Sequence, residues 1–204
     1  MTIEKGRPWG TRGRLPPGST VATSDLEARR IVESARARGE EPPTIGLLGG
    51  DLCRTLGGLG DLDRLHTDEA MTFPVDIVRV TLDERREHWF VAHLIARRSW
   101  LWGPALVGMN AQWFGQWDLG PRSHPNDGLL DLTEGNLPLG DRLQARVRVR
   151  SGTHLPHPAL HTARVRSREV TLERPLPVHL DGEAVGRYRH LAMEVEPDAL
   201  VIVV

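Results

Sequence analysis

From Pro74 onward the chain returns again and again to short apolar runs broken by turn residues. This rhythm limits the fold more than any other feature. VDIVRVTL (75–82) alternates apolar and polar positions, and HWFVAHLIARR (88–98) does so loosely. ALVGMNAQWF (105–114), ARVRSREVTLE (163–173), LPVHLDGE (176–183), HLAMEVEP (190–197) and ALVIVV (199–204) are further strand segments. Alternation with a period of two buries one face of a strand, and Gly, Pro and Asp between such runs turn the chain back. Many strands at short intervals argue an antiparallel sandwich. Asp141 to Arg150 reads as a short helix, with Leu143, Ala145 and Val147 partly inward.

The first 58 residues read differently. Residues 1–18, with Gly6, Pro8, Gly10, Gly13, Pro16, Pro17 and Gly18, read as an irregular arm outside the core. Val21 and Ala22 suit a short strand. Ser24 or Asp25 caps a helix running to about Arg38, with Leu26, Ile31, Val32 and Ala35 near one face, and Pro42 and Pro43 stop it. TIGLL (44–48) reads as a buried strand, and GGD leads into a second helix that Gly57 and Gly58 end. The expected division is a truncated α/β segment over 1–58 and a β-sandwich domain over 59–204.

Composition excludes several kinds of chemistry. A net charge of −1 gives no overall pull toward nucleic acid or an anionic membrane. Lys5, in the Gly/Pro arm, is the only lysine, so mechanisms that need a buried lysine, the P-loop and the Schiff base among them, are excluded. The single cysteine, Cys53, excludes a disulfide framework and a zinc–cysteine cluster. No signal peptide and no apolar run of spanning length stands out, so the expectation is a cytoplasmic protein without a transmembrane segment.

In chain order, GLLGGDLCRTLGG (46–58), PVDIVRV (74–80), MNAQWFG (109–115), GPRSHPNDGLLDL (120–132), GTHLPHP (152–158), HLDGE (179–183) and EPDALVIVV (196–204) resemble successive segments of one family. That family is the diacylglycerol/sphingosine lipid kinases of the NAD-kinase-like superfamily. The resemblance spans roughly 44–204. It implies an α+β fold dominated by a two-layer antiparallel β-sandwich like the lipid kinase C-terminal domain, with a short N-terminal α/β segment. It also implies transfer of phosphate from ATP, with Mg²⁺, to a lipid hydroxyl. One segment departs from the pattern. Where the family places a Gly-Gly-Asp-Gly-Thr loop against the ATP phosphates, this chain has VATSDLEARR (21–30), which contains no glycine. A glycine-rich loop lets backbone N–H groups approach phosphate closely. A second expectation therefore stands beside the first: a non-catalytic relative that binds a lipid or nucleotide, or pairs with another chain, including a copy of itself.

The resemblance implies roles for particular residues. Glu183 would be the general base on the lipid hydroxyl, with Asp181 close by; a β-turn at Asp181-Gly182 is the alternative. Asp51, after Gly49 and Gly50 at the mouth of a helix, would hold Mg²⁺ or order the base, and would also serve as an N-cap. The two glycines would approach the nucleotide, although Gly50 stands where the family has Asn. In PNDGLLD (125–131), Asp127 would supply a carboxylate to a structural Mg²⁺, with carbonyls near His124 and Leu129 completing the shell; a turn without an ion is the alternative. Pro156 and Pro158 prevent a helix that would align His154, His157 and His161 on zinc, which leaves one structural or substrate-facing histidine. Trp89, Trp100, Trp102, Trp113 and Trp117 either line an apolar substrate cleft or pack into the core. Cys53 is expected to be buried and unreactive.

Overall fold

The computed structural model describes residues 9–204. Residues 1–8, the start of the expected arm, lie outside the described residues. The elements run β1 (Thr11–Arg12), β2 (Thr20–Ala22), α1 (Asp25–Ala37), β3 (Ile45–Leu47), α2 (Asp51–Thr55), β4 (Met71–Leu82), β5 (Arg86–Phe90), β6 (His93–Arg97) and β7 (Ala105–Met109). They continue with β8 (Trp113–Phe114), β9 (Trp117–Asp118), β10 (Leu130–Gly135), α3 (Leu139–Arg148), β11 (Leu160–Val165), β12 (Ser167–Leu180) and β13 (Glu183–Val203). The fold is α+β and mostly antiparallel, as the alternating segments required.

Among the described residues, one sheet of 11 strands carries the fold, with the path β1-β4-β13-β12-β6-β7-β10-β11. The inward faces of β4, β12 and β13 meet those of β6, β7 and β10. Val80, Leu94, Leu106, Leu132, Val178 and Met193 belong to that shared core. The N-terminal segment joins the same sheet: β2 pairs with β3 in parallel, and β3 pairs in parallel with β13 through Ile202↔Ile45. α1 covers this edge, burying Ala28 and Val32 in a core with Ile45, Leu52, Val75 and Ile202. Ser24 caps α1, its Oγ accepting the Glu27 N–H at 3.3 Å, while the Glu27 carboxylate accepts the Thr23 N–H at 2.7 Å.

Three sequence expectations change. The arm is not wholly irregular, because β1 pairs with β4 and Leu15 is buried beside Leu65 and Val203. The segment 88–98 is two strands, parted at Val91–Ala92, whose amides turn to a side-chain carboxylate described below. The helix over 141–150 exists as α3, and Ala145 turns inward as expected, but Val147 faces outward and Leu143 is half exposed at the cavity edge. Arg142 and, just beyond α3, Val149 turn toward the sheet as well.

Candidate functional site

Asp181 and Gly182 form the two-residue turn between β12 and β13, with φ of 46° and 86°. Positive φ at both positions is the twist that suits a tight hairpin. The Asp181 side chain is buried and points back into the protein. Its Oδ2 accepts the Val91 N–H at 2.9 Å, and its Oδ1 accepts those of Ala92 at 2.9 Å and His93 at 3.0 Å. One carboxylate thus satisfies three amides where β5 passes into β6. Burial pushes its pKa up, against the pull of His93 and these amides.

This anchoring fixes His93, whose buried Nε2 lies 3.1 Å from Asp51 Oδ2. Asp51 Oδ1 accepts the Gly115 N–H at 2.8 Å. The Phe114 ring meets the imidazole edge-on, with centroids 4.9 Å apart. Burial opposes a charge on His93, but the hydrogen bond to Asp51 and the carboxylates of Asp181 and Asp25 outweigh it, and its pKa is raised. His93 Nδ1 has no hydrogen-bond partner among the described residues.

Asp25 completes the cluster from the first turn of α1. Its Oδ2 accepts the Asp51 N–H at 2.6 Å and its Oδ1 accepts the Leu52 N–H at 3.1 Å. These are the free amides at the start of α2, the groups that an anion would otherwise meet. Burial, with Asp181 nearby, raises Asp25 to about 7. Gly49 and Gly50 now have a packing reason. A Cβ on Gly49 would strike the Thr23 carbonyl, and one on Gly50 would strike the Asp25 carboxylate. The turn from β2 into α1 lies directly on them.

One turn further along α1, Arg29 is 2% exposed and pairs with Glu183, which Arg30 also holds at 2.8 Å. Arg30 and Arg29 keep the Glu183 carboxyl below its usual pKa, against slight desolvation. A carboxylate held in this way is a weak proton acceptor.

The PNDGLLD loop is organised by Asp76 of β4, which is fully buried. Its Oδ2 accepts the Gly128 N–H at 2.7 Å, its Oδ1 accepts the Asp198 N–H at 2.9 Å, and its own N–H donates to the Pro125 carbonyl at 2.7 Å. Asn110 ties the same strand down, donating to the carbonyls of Asp76 and Val91. Asp127 is paired with Arg164 of β11, whose Nε also reaches Asp131 Oδ1 at 3.3 Å. His124 Nδ1 accepts the Asn126 N–H at 3.2 Å, and its ring packs on Trp9. The Leu129 N–H donates to Asp127 Oδ1 at 3.0 Å.

At both places where Mg²⁺ was expected, the side-chain oxygens it would need already have partners in the protein. Mg²⁺ takes six oxygens in a regular shell and keeps several waters. Arg164 already pairs with both loop carboxylates, Asp127 and Asp131. Asp25, Asp51 and His93 bring ligand atoms within 4.8 Å of one another, but the oxygens of both carboxylates are engaged by amides and the imidazole.

The three loop histidines stay apart. His154 is buried and lines a cavity, His157 Nε2 approaches Asp141 at 3.7 Å, and His161 lies exposed on β11. Cys53 is buried, its thiol donating to the Leu47 carbonyl, and burial pushes its pKa up to about 11.

The cavity, of about 190 Å³, lies between α3 and the outer face of β7 and β10. A single water needs roughly 15 Å³ on such a measure. Its walls are mainly apolar, with Val107 and Leu160 from the sheet, Ala145 and Leu143 from α3, and Trp100 and Trp117 at one end, while Thr133, Arg142, Arg146 and His154 add polar groups. Of the five clustered tryptophans only these two line it. Trp113 packs under Arg54, Trp89 donates to Glu196, and Trp102 is exposed.

Residues 68–204 match the family described as the YegS C-terminal NAD kinase beta sandwich-like domain. The chain belongs to this family. Three solved chains from Bacillus anthracis str. Sterne, one named a diacylglycerol kinase and two named as candidates for one, are similar in fold. The first aligns with a TM-score of 0.65 at 13% identity, covering 89% of this chain and 76% of that one. The second gives 0.61 at 13%, covering 79% and 69%. The third gives 0.58 at 14%, covering 79% and 66%. At such identity the likeness shows the fold. No curated protein matches the sequence. The protein is lipid-kinase-like in its C-terminal domain, and among the described residues no helix is long and apolar enough to cross a membrane.

Within this family frame, His93, Arg29 and Arg164, which no motif marks, and Asp25, which the sequence offers only as an alternative cap, make the contacts around the candidate residues. His93 sits in a strand segment like any inward residue, and only its burial beside Asp51 marks it. Asp25 is hidden by Ser24, which has the cap role that the local pattern predicts. Arg29 sits among other arginines of α1. Arg164 shares β11 and β12 with Arg168 and Arg174, and no local pattern ties it to Asp127, 37 residues away.

Proposed function

We propose that this chain is a lipid-kinase-like protein that binds an apolar, lipid-like ligand and does not transfer phosphate. The observation that carries the reading is the apolar cavity beneath α3, with Trp100 and Trp117 at one end. The names of the fold relatives point to a lipid as the ligand class. The site around Asp51 supports the loss of transfer. Phosphoryl transfer is mostly positioning and neutralisation of phosphate charge. Here the α2 amides carry the Asp25 carboxylate, three acidic side chains share one buried space, and Glu183 is tied to Arg29 and Arg30.

The second reading keeps ATP-dependent phosphorylation of a lipid hydroxyl, with Asp51, Asp181 and Glu183 as the catalytic set. The His93–Asp51 pair favours it, because a buried imidazole on a carboxylate is a proton-handling unit. The test is a brominated fatty acid titrated against tryptophan fluorescence, run beside an assay for phosphate transfer from ATP to diacylglycerol. Saturable quenching without transfer is expected. ATP-dependent transfer that Asp51→Asn abolishes would move the assignment to the second reading.

A further inference from the structure

The size of the cavity under α3 limits what can fill it. Its volume of about 190 Å³ gives room for about a dozen waters, each with about 30 Å³ of the liquid. A methylene group fills about as much space as a water, so one chain of about a dozen carbons occupies the whole cavity. Val107 and His154, both buried, close its floor, while Leu101 and Leu143 stand half exposed at its rim. A second chain on the same ligand would stay outside, with its apolar surface in water.

The polar side chains of the lining differ in what they can offer. Arg142 spends its donors on the carbonyls of Leu137, Trp100 and Gly103 and on Asn136 Oδ1. Burial holds His154 below its usual pKa, against Asp118 and the Leu119 backbone, so the floor is uncharged at neutral pH. Thr133 of β10 brings a hydroxyl and no charge. Arg146 is different. It is exposed at the rim, one helical turn beyond Arg142, and among the described residues its guanidinium has no hydrogen bond and no ion pair. The acidic residue of α3, Asp141, is turned to His157 instead. A free guanidinium above an uncharged, mainly apolar cavity suits a hydrocarbon chain that ends in an anion. A carboxylate matches it in charge and in shape, because its two oxygens meet the planar fork of an arginine.

We propose that the ligand is a single-chain fatty acid of about a dozen carbons, with its chain in the cavity and its carboxylate on Arg146. The proposal rests on the lipid-binding reading above and narrows the ligand to one chain with one negative charge. A two-chain diacylglycerol is then a poor ligand.

The test is calorimetric titration of the full chain with a series of fatty acids from octanoate to hexadecanoate, each kept below its micelle concentration. Affinity should rise about fourfold with each added methylene and level off near dodecanoate. Dodecanol keeps the chain and drops the charge, and should bind about fivefold more weakly than dodecanoate. Arg146→Gln should remove that difference by weakening dodecanoate alone. Dioctanoylglycerol should bind no more tightly than octanol, because only one of its chains finds room. Affinity that keeps climbing to hexadecanoate would overturn the single short chain, as would dioctanoylglycerol binding well above octanol. Equal affinity of the wild type and Arg146→Gln for dodecanoate would overturn the carboxylate contact, as would tighter binding of dodecyl phosphate. In each of these cases dodecanol would still bind, and the lipid-binding reading would stand. If neither dodecanoate nor dodecanol binds, that reading falls and this proposal with it.

Discussion

The Asp25 carboxylate occupies the start of α2, accepting the Asp51 N–H at 2.6 Å and the Leu52 N–H at 3.1 Å. A group from the first turn of one helix thus fills the anion position of the next. Its cost shows in its acidity, since burial raises Asp25 from 3.8 to about 7. The folded state therefore binds a proton more tightly than the unfolded chain. The stability this proton gives is complete below the unfolded pKa and is lost as pH rises through about 7. Asp181 and His93, both raised, act with the same sign. Stability measured by denaturant titration should fall from mildly acidic to mildly alkaline pH. Asp25→Asn should flatten that slope by up to one proton, about 1.4 kcal/mol per pH unit. An unchanged slope would remove Asp25 from the account.

The sandwich was legible because strand alternation and turn residues are local signals. The segment 75–82 became the C-terminal part of β4, and Asp181-Gly182 formed the turn that the sequence offered as the alternative to a catalytic role. The join at Val91–Ala92 was not legible, because the carboxylate that receives those amides lies about 90 residues away. The outward stripe of α3 failed for a related reason. Apolar spacing says which residues share a face, and not which face meets the sheet. At the site, the motifs drew attention to Asp51, Asp181 and Glu183. Their partners Asp25, His93, Arg29 and Arg30 come from tertiary placement alone.

Asp76 should behave as a structural anchor. Asp76→Asn replaces an oxygen that accepts an amide with an NH₂ group in a fully buried place. A loss of about 3 kcal/mol is expected, since a buried donor is left unmet. Thermal unfolding checks it, and a melting point within a degree or so of wild type would contradict it.

Arg164 should make the PNDGLLD loop independent of divalent ions. Wild-type melting should not respond to millimolar Mg²⁺ or to a chelator. Arg164→Ala leaves Asp127 and Asp131 unneutralised and should cost about 1 kcal/mol, as expected for a half-exposed pair. Mg²⁺ should recover part of that loss in the variant alone. A wild-type melting point that falls on chelation would show that the loop does hold an ion.

Filling the cavity should remove the ligand and spare the fold. Ala145 lines the cavity from α3, and Ala145→Phe places a ring in its roughly 190 Å³. Quenching of Trp100 and Trp117 by a brominated fatty acid should fall at least about tenfold, because apolar burial of the chain is what drives binding. The melting temperature should hold or rise. Undiminished quenching would place the ligand elsewhere.

Whether the Gly49–Leu52 turn can receive phosphate while Asp25 lies on it decides between ligand binding and phosphate transfer. Calorimetric titration of the full chain with ATP and Mg²⁺, at millimolar concentration and in the presence of bound fatty acid, measures this. No saturable heat is predicted. A saturable isotherm that disappears in Asp51→Asn or Gly50→Ala would contradict the account and restore the phosphotransfer reading.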